Sequence, residues 1–269
     1  MKKFIILDKS FVRSCGAVQF RDLEKQYTFL LTDEFIYETF KDSSKIRADT
    51  FNKFTDQNSY EIVPSIQQLM EYEAFNKKPT KPSLQMSHKD RSLHNFFKDP
   101  NKELSVEQIN ALETKKNHYN EFFGQFTDLI LKPKYENAKK KNESNLLIRD
   151  EDLKNYINIL INNGNIDLHS EIIPNLDESW VIFRFFQILN YYKYDLINKH
   201  QVYTHIEESP NTQKNILHDL IDFLYIVQGL LEGGLATSEK KIKEIWFKYA
   251  VPGSTLIFME NTNIEITTK

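Results

Sequence analysis

The chain opens on Phe4-Ile5-Ile6-Leu7, four consecutive apolar positions ending at Asp8, the pattern of a strand buried on both faces whose carboxyl end meets a charged residue. A second apolar run, residues 27–31, precedes Thr32-Asp33-Glu34. That order of N-cap and first-turn acids predicts a strand leading into a helix that reaches about Lys41. Residues 60–63 read as a third short strand, with Pro64 and Ser65 opening a helix over 66–75. From about 77 to 209 the pattern turns into long Lys/Asn/Glu-rich segments of helical period, broken at Lys77-Lys78-Pro79, Asp99-Pro100, Lys132-Pro133 and Asn163-Gly164. A helix over 215–231 then passes through Glu232-Gly233-Gly234 into the strand Leu235-Ala236-Thr237. A helix over 240–249 and a last strand over 255–259 follow. Strands alternating with helices at both ends predict an α/β fold, a parallel sheet with right-handed crossovers. Residues 1–76 and 206–269 are expected to form one discontinuous domain, with 77–205 an all-helical insertion.

Composition narrows the chemistry. Of 269 residues, 40% are apolar and 27% charged, enough to bury a core. The 7 glycines contain no GxGxxG and no GxxxxGK[ST], so glycine-rich phosphate loops are not expected. A single cysteine, Cys15, rules out an internal disulfide and Cys-based zinc sites; together with an initial apolar run too short for a signal segment, it predicts a reduced, cytoplasmic setting. The longest apolar stretch, Trp180 to Leu189, carries Arg184, so no membrane span is expected. The net charge of −3 argues against a general polyanion-coating surface and leaves room for a local nucleic-acid site.

The candidate chemistry lies in carboxylates. In open parallel sheets the site sits beyond the carboxyl ends of the strands, where the strand order switches. Asp8 ends the first strand, Glu34 and Glu38 share a helical face at i and i+4 after the second, and Glu239 follows the strand that ends at Thr237. Asp219 and Asp222 are i and i+3 on an otherwise apolar helix, and two acids brought together in a low-dielectric place call for a cation or a proton. Oxygen donors without a His or Cys set suit a hard divalent ion, magnesium or manganese. Lys, Arg or the neighbouring His218 could instead satisfy the pair.

Other charged positions read as structural. Glu73 and Arg184 both point inward by helical phase and are expected either to pair with each other or to bond backbone groups. Lys132, Lys134, Lys139, Lys140 and Lys141 read as a solvated linker. The aromatic run Trp180 to Phe186 reads as core. None of the seven histidines, including His88, has HxxxH or HExxH spacing, and His218 alone merits a test.

Four segments resemble the PIN-like ribonucleases: Phe4 to Asp8, Leu30 to Glu38, Asn215 to Tyr225, and Gly233-Gly234-Leu235-Ala236-Thr237-Ser238-Glu239-Lys240-Lys241, with Glu239 where the family commonly has Asp. The resemblance implies a three-layer sheet flanked by helices, with an acidic magnesium or manganese pocket. Asp8, Glu38, Asp219, Asp222 and Glu239 would be the catalytic acids, the first four as metal ligands, with Thr237 and Lys240 toward substrate. It also implies metal-assisted hydrolysis of phosphodiester bonds in single-stranded RNA, in a toxin- or defence-type effector whose helical insertion contacts RNA or a partner protein. A second expectation is a degenerate PIN-like scaffold that binds nucleic acid or protein. A third, a haloacid-dehalogenase-like phosphohydrolase with Asp8 as nucleophile, suffers from Ser10 where a second Asp would stand.

Overall fold

The computed structural model describes residues 2–55, 58–85, 91–132, 149–162, 169–200 and 203–269. His88, Pro133, Asn163, Gly164 and the lysines at 134 and 139–141 lie outside the described residues. In chain order the elements begin β1 (Lys3–Leu7), α1 (Lys9–Ser14), α2 (Ala17–Glu24), β2 (Tyr27–Leu31), α3 (Asp33–Phe40), α4 (Ser44–Phe51), β3 (Tyr60–Ile62) and α5 (Ile66–Asn76). They continue with α6 (Arg91–Lys98), α7 (Val106–Gln125) running into a π-helical turn at Phe126–Leu131, α8 (Asp150–Asn162), α9 (Val181–Lys199) and α10 (Thr204–Glu207). The chain ends with α11 (Pro210–Glu232), β4 (Gly234–Thr237), α12 (Lys240–Tyr249), β5 (Thr255–Glu260) and β6 (Asn263–Thr268).

The protein is α/β, with a six-stranded sheet in the order β3-β2-β1-β4-β5-β6 that is parallel up to β5 and closed by an antiparallel β6. Ile5, Ile6, Leu7, Phe29, Leu30, Leu31, Leu235 and Ala236 are all fully buried, so both faces of the central strands are covered, as their unbroken apolar runs require. The chain leaves β1 toward β2 and β3 on one side and returns to β4 on the other. The switch in strand order therefore lies between β1 and β4.

Two glycines set that junction. Gly233 ends α11 at φ +75°, a left-handed cap that a residue with a side chain adopts at a cost, and its N–H bonds the Gly229 carbonyl. A Cβ on Gly234 would stand 2.6 Å from the Phe4 carbonyl oxygen, so only glycine lets β4 lie this close to β1.

β6 is an addition to the five expected strands. Ile264 and Ile266 alternate with polar residues on an exposed edge, and Asn261 at φ 57° makes the turn from β5. The helices α1, α2 and α4 are likewise additions. The expected ion pair between Glu73 and Arg184 is not formed. Glu73, fully buried, accepts from the backbone N–H groups of Thr80, Val181 and Ile182, and so caps the N-terminus of α9 from α5. Arg184 donates to the carbonyls of Glu178 and Tyr249 and to the Gln187 side chain. Both thus take the backbone alternative. Core residues of the helical block, among them Phe97, Leu153 and Phe183, join one buried cluster with those of the sheet. Among the described residues, no helix is long and apolar enough to cross a membrane.

Candidate functional site

Asp8 emerges at the end of β1 with only 3% of its surface exposed. As N-cap of α1 it accepts the Ser10 N–H at 3.0 Å, the geometry that an Asp two residues before an N–H adopts at a strand–helix junction. Its other oxygen accepts from the hydroxyls of Ser10 and Thr237, the latter at 2.6 Å. Both hydroxyls also accept a backbone N–H from the loop after β4, Ser238 to Ser10 at 3.2 Å and Glu239 to Thr237 at 3.0 Å. With those N–H groups on their lone pairs, their protons are directed at Asp8. The loops after β1 and β4 are therefore stitched together across the switch point around one carboxyl.

Glu38 comes from the end of α3, half-buried, and its carboxylate accepts from the Tyr225 hydroxyl of α11 at 2.9 Å. Asp219 and Asp222, from the same α11, are partly exposed. Asp219 is held by Lys241 at 2.6 Å and by the Tyr192 hydroxyl at 2.8 Å. Asp222 lies 3.3 Å from His218 Nδ1. Glu239 is the N-cap of α12 and makes no capping bond with its side chain, leaving its carboxylate at the mouth of the site. A cavity of about 80 Å³ opens between Asp219, Asp222, Glu239, Lys241 and Tyr192. Lys240 points away and pairs with Glu260 at 2.8 Å, while Thr237 spends its hydroxyl on a carboxylate.

The electrostatics are those of acids crowding one another. Burial pushes Asp8 up to about 7 against the pull of its three donors, and repulsion from Asp222 adds to the rise. Burial also raises Glu239, helped by Asp222, Asp219 and Glu38 and opposed by His218. The His218 imidazolium, bonded to Asp222, is held up to about 9. Tyr225 is pushed far up by burial and by the charges of Glu38, Asp8 and Glu34, so it stays a neutral donor. Glu34, one turn before Glu38, is buried at 1% exposure, bonds Gln228 and is pushed up to about 7 by burial and by Asp33.

Asp8, Glu38, Asp222 and Glu239 thus share one field at the switch point. Asp219 belongs to the same field but is neutralised by Lys241. Their donor chemistry is that of a hard divalent cation, oxygen throughout and with excess negative charge. Their spacing is not a finished coordination shell: among the described residues, no three His, Cys, Asp or Glu side chains are grouped closely enough to hold a metal ion. Ser10, Tyr225, Tyr192 and Lys241 are not among the site residues expected from the sequence. Ser10 alone carried a local signal, a hydroxyl two residues past a strand-ending Asp. No family model, curated protein or solved structure matches the chain.

Proposed function

We propose that the protein is a metal-dependent nuclease of the PIN-like kind that hydrolyses phosphodiester bonds in RNA, with its site at the β1/β4 switch. The observation that carries this reading is the placement of Asp8, a carboxyl buried at the β1/β4 switch where α/β sheets bind ligands and raised to about 7 by burial, with a lesser push from Asp222. Asp8, Glu38, Asp222 and Glu239 would hold magnesium or manganese partly through bridging waters, as their spacing requires; such an ion would supply an activated water and neutralise charge on the phosphoryl oxygens. The chain's own part is positioning. Ser10 and Thr237 fix the Asp8 carboxyl, Tyr225 fixes Glu38, and the Lys241–Asp219 pair fixes the wall opposite. The test is cleavage of a single-stranded RNA with magnesium or manganese by wild type, Asp8→Ala and Asp222→Ala. Loss of activity in both folded variants supports the assignment, and equal activity in all three discards it.

A second reading has its own observation. Asp219 and Asp222 already have protein cations, Lys241 and His218, which suits a scaffold whose acids serve structure and whose surface binds nucleic acid or protein. Folded protein that takes up no manganese would favour it.

A further inference from the structure

A cavity of about 380 Å³ lies between the end of α3, the middle of α7 and the first turns of α11. Three lysines rim it, Lys41 just past the end of α3, Lys116 on α7 and Lys214 on α11, and all three are exposed. None has an acidic partner within ion-pair distance among the described residues; Lys41 instead stands over the Tyr37 ring at 5.0 Å. Glu113 is the one acid among the lining residues, so the rim is positive in a chain whose net charge is −3. The floor is apolar and aromatic, Tyr37 and Tyr119 meeting edge to face at 4.9 Å with Leu217 and Ile221 beside them.

This cavity adjoins the acidic site through two helices. Tyr37 precedes Glu38 on α3, and His218 and Ile221 bracket Asp219 and precede Asp222 on α11. An ammonium rim over an apolar floor matches one nucleotide of a single strand, the phosphate on the lysines and the base against the floor of Leu112, Leu217, Ile221 and the tyrosine edges. An acidic peptide would use the rim and leave the floor unfilled.

We infer that the cavity between α3, α7 and α11 is the binding subsite for a nucleotide flanking the scissile bond of single-stranded RNA, held by Lys41, Lys116 and Lys214. The inference rests on the nuclease reading for its orientation, and its test does not depend on cleavage. Binding of a fluorescently labelled single-stranded RNA is measured by anisotropy in EDTA across a salt series. The proteins compared are wild type, Lys41→Ala/Lys116→Ala/Lys214→Ala, and a control with Lys25, Lys45 and Lys199 changed to Ala. Losing the one phosphate that the three lysines hold predicts a salt slope shallower by about 1 and affinity at least about tenfold weaker, with the control near wild type. The rim variant should keep the circular-dichroism spectrum and thermal midpoint of wild type, which shows that it is folded. RNA binding by the rim variant equal to wild type, an equal loss in the control, or no RNA binding by wild type would overturn the subsite. If the rim matters and no protein cleaves RNA, the subsite stands and the nuclease reading falls. If cleavage proceeds with unchanged KM in the rim variant, the nuclease stands and the subsite falls.

Discussion

Replacing Asp8 by asparagine removes a buried charge while keeping the shape of its hydrogen bonds. The wild-type carboxyl is held at about 7 rather than at its ordinary 3.8, so above neutrality folding must ionise it where charge is resisted. At about 1.4 kcal/mol for each tenfold change in proton affinity, the cost is about 4 kcal/mol. The sign follows from proton binding. The folded protein holds this proton more tightly than the unfolded chain, so the cost is absent below about pH 4, grows up to about pH 7 and is constant beyond it. Asparagine is as good an N-cap for the Ser10 N–H as aspartate. Its amide group, however, must donate to hydroxyls that now donate to Asp8, and turning them returns about 1–2 kcal/mol. Asp8→Asn is therefore expected to be about 2 kcal/mol more stable than wild type at pH 8 in chelator, and no more stable at pH 5. Urea denaturation followed by circular dichroism at the two pH values measures this. A variant less stable than wild type at pH 8, or stabilised equally at both, would show that the Asp8 charge is not under strain.

The pH dependence extends to the whole protein. Burial raises Asp8, Glu34 and Glu73 alike to about 7, so in chelator wild-type stability should fall by several kcal/mol from pH 5 to 7.5, as urea midpoints would show. Manganese should raise the thermal midpoint more at pH 8 than at pH 5, because only ionised acids bind it, and an equal rise at both would contradict the site. Glu73→Ala leaves three backbone N–H groups unpaired next to a cavity and should cost about 3–5 kcal/mol in urea, whereas a cost under about 1 kcal/mol would mean that α9 caps itself otherwise. Gly234→Ala drives a Cβ to 2.6 Å from a backbone oxygen and should lower the thermal midpoint by ~10 °C or prevent folding; a midpoint within about 2 °C of wild type would show that β4 can move off β1.

The parallel strands were legible because buried strands read as unbroken apolar runs between turn residues, as in Phe4 to Leu7 and Leu235 to Ala236. The edge strand β6 was not. With one face in solvent it has only Ile264 and Ile266 to mark it, and in a polar tail two isoleucines are a weak signal. The short helices α1 and α2 escaped for a related reason, since each turns on a cap, Asp8 or Gly16, rather than on a long apolar stripe. The acids of the site were visible at strand ends and on helix faces, where spacing alone sets their direction. The partners of these acids were less visible. His218 and Asp222 are i and i+4 on one helix, but Lys241 reaches Asp219 only because α12 packs beside α11, and the bond from Thr237 to Asp8 joins residues 229 positions apart. Such contacts belong to the sheet order and not to any local pattern.

The central claim is that carboxylates from both ends of the chain serve a common divalent ion. Titrating wild type, Asp8→Asn and Asp222→Asn with manganese in a calorimeter at pH 8 tests it most directly. Saturable uptake by wild type, lost or at least about tenfold weaker in both folded variants, is the predicted result. Folded wild type that takes up no manganese, or variants that match it, would contradict the account.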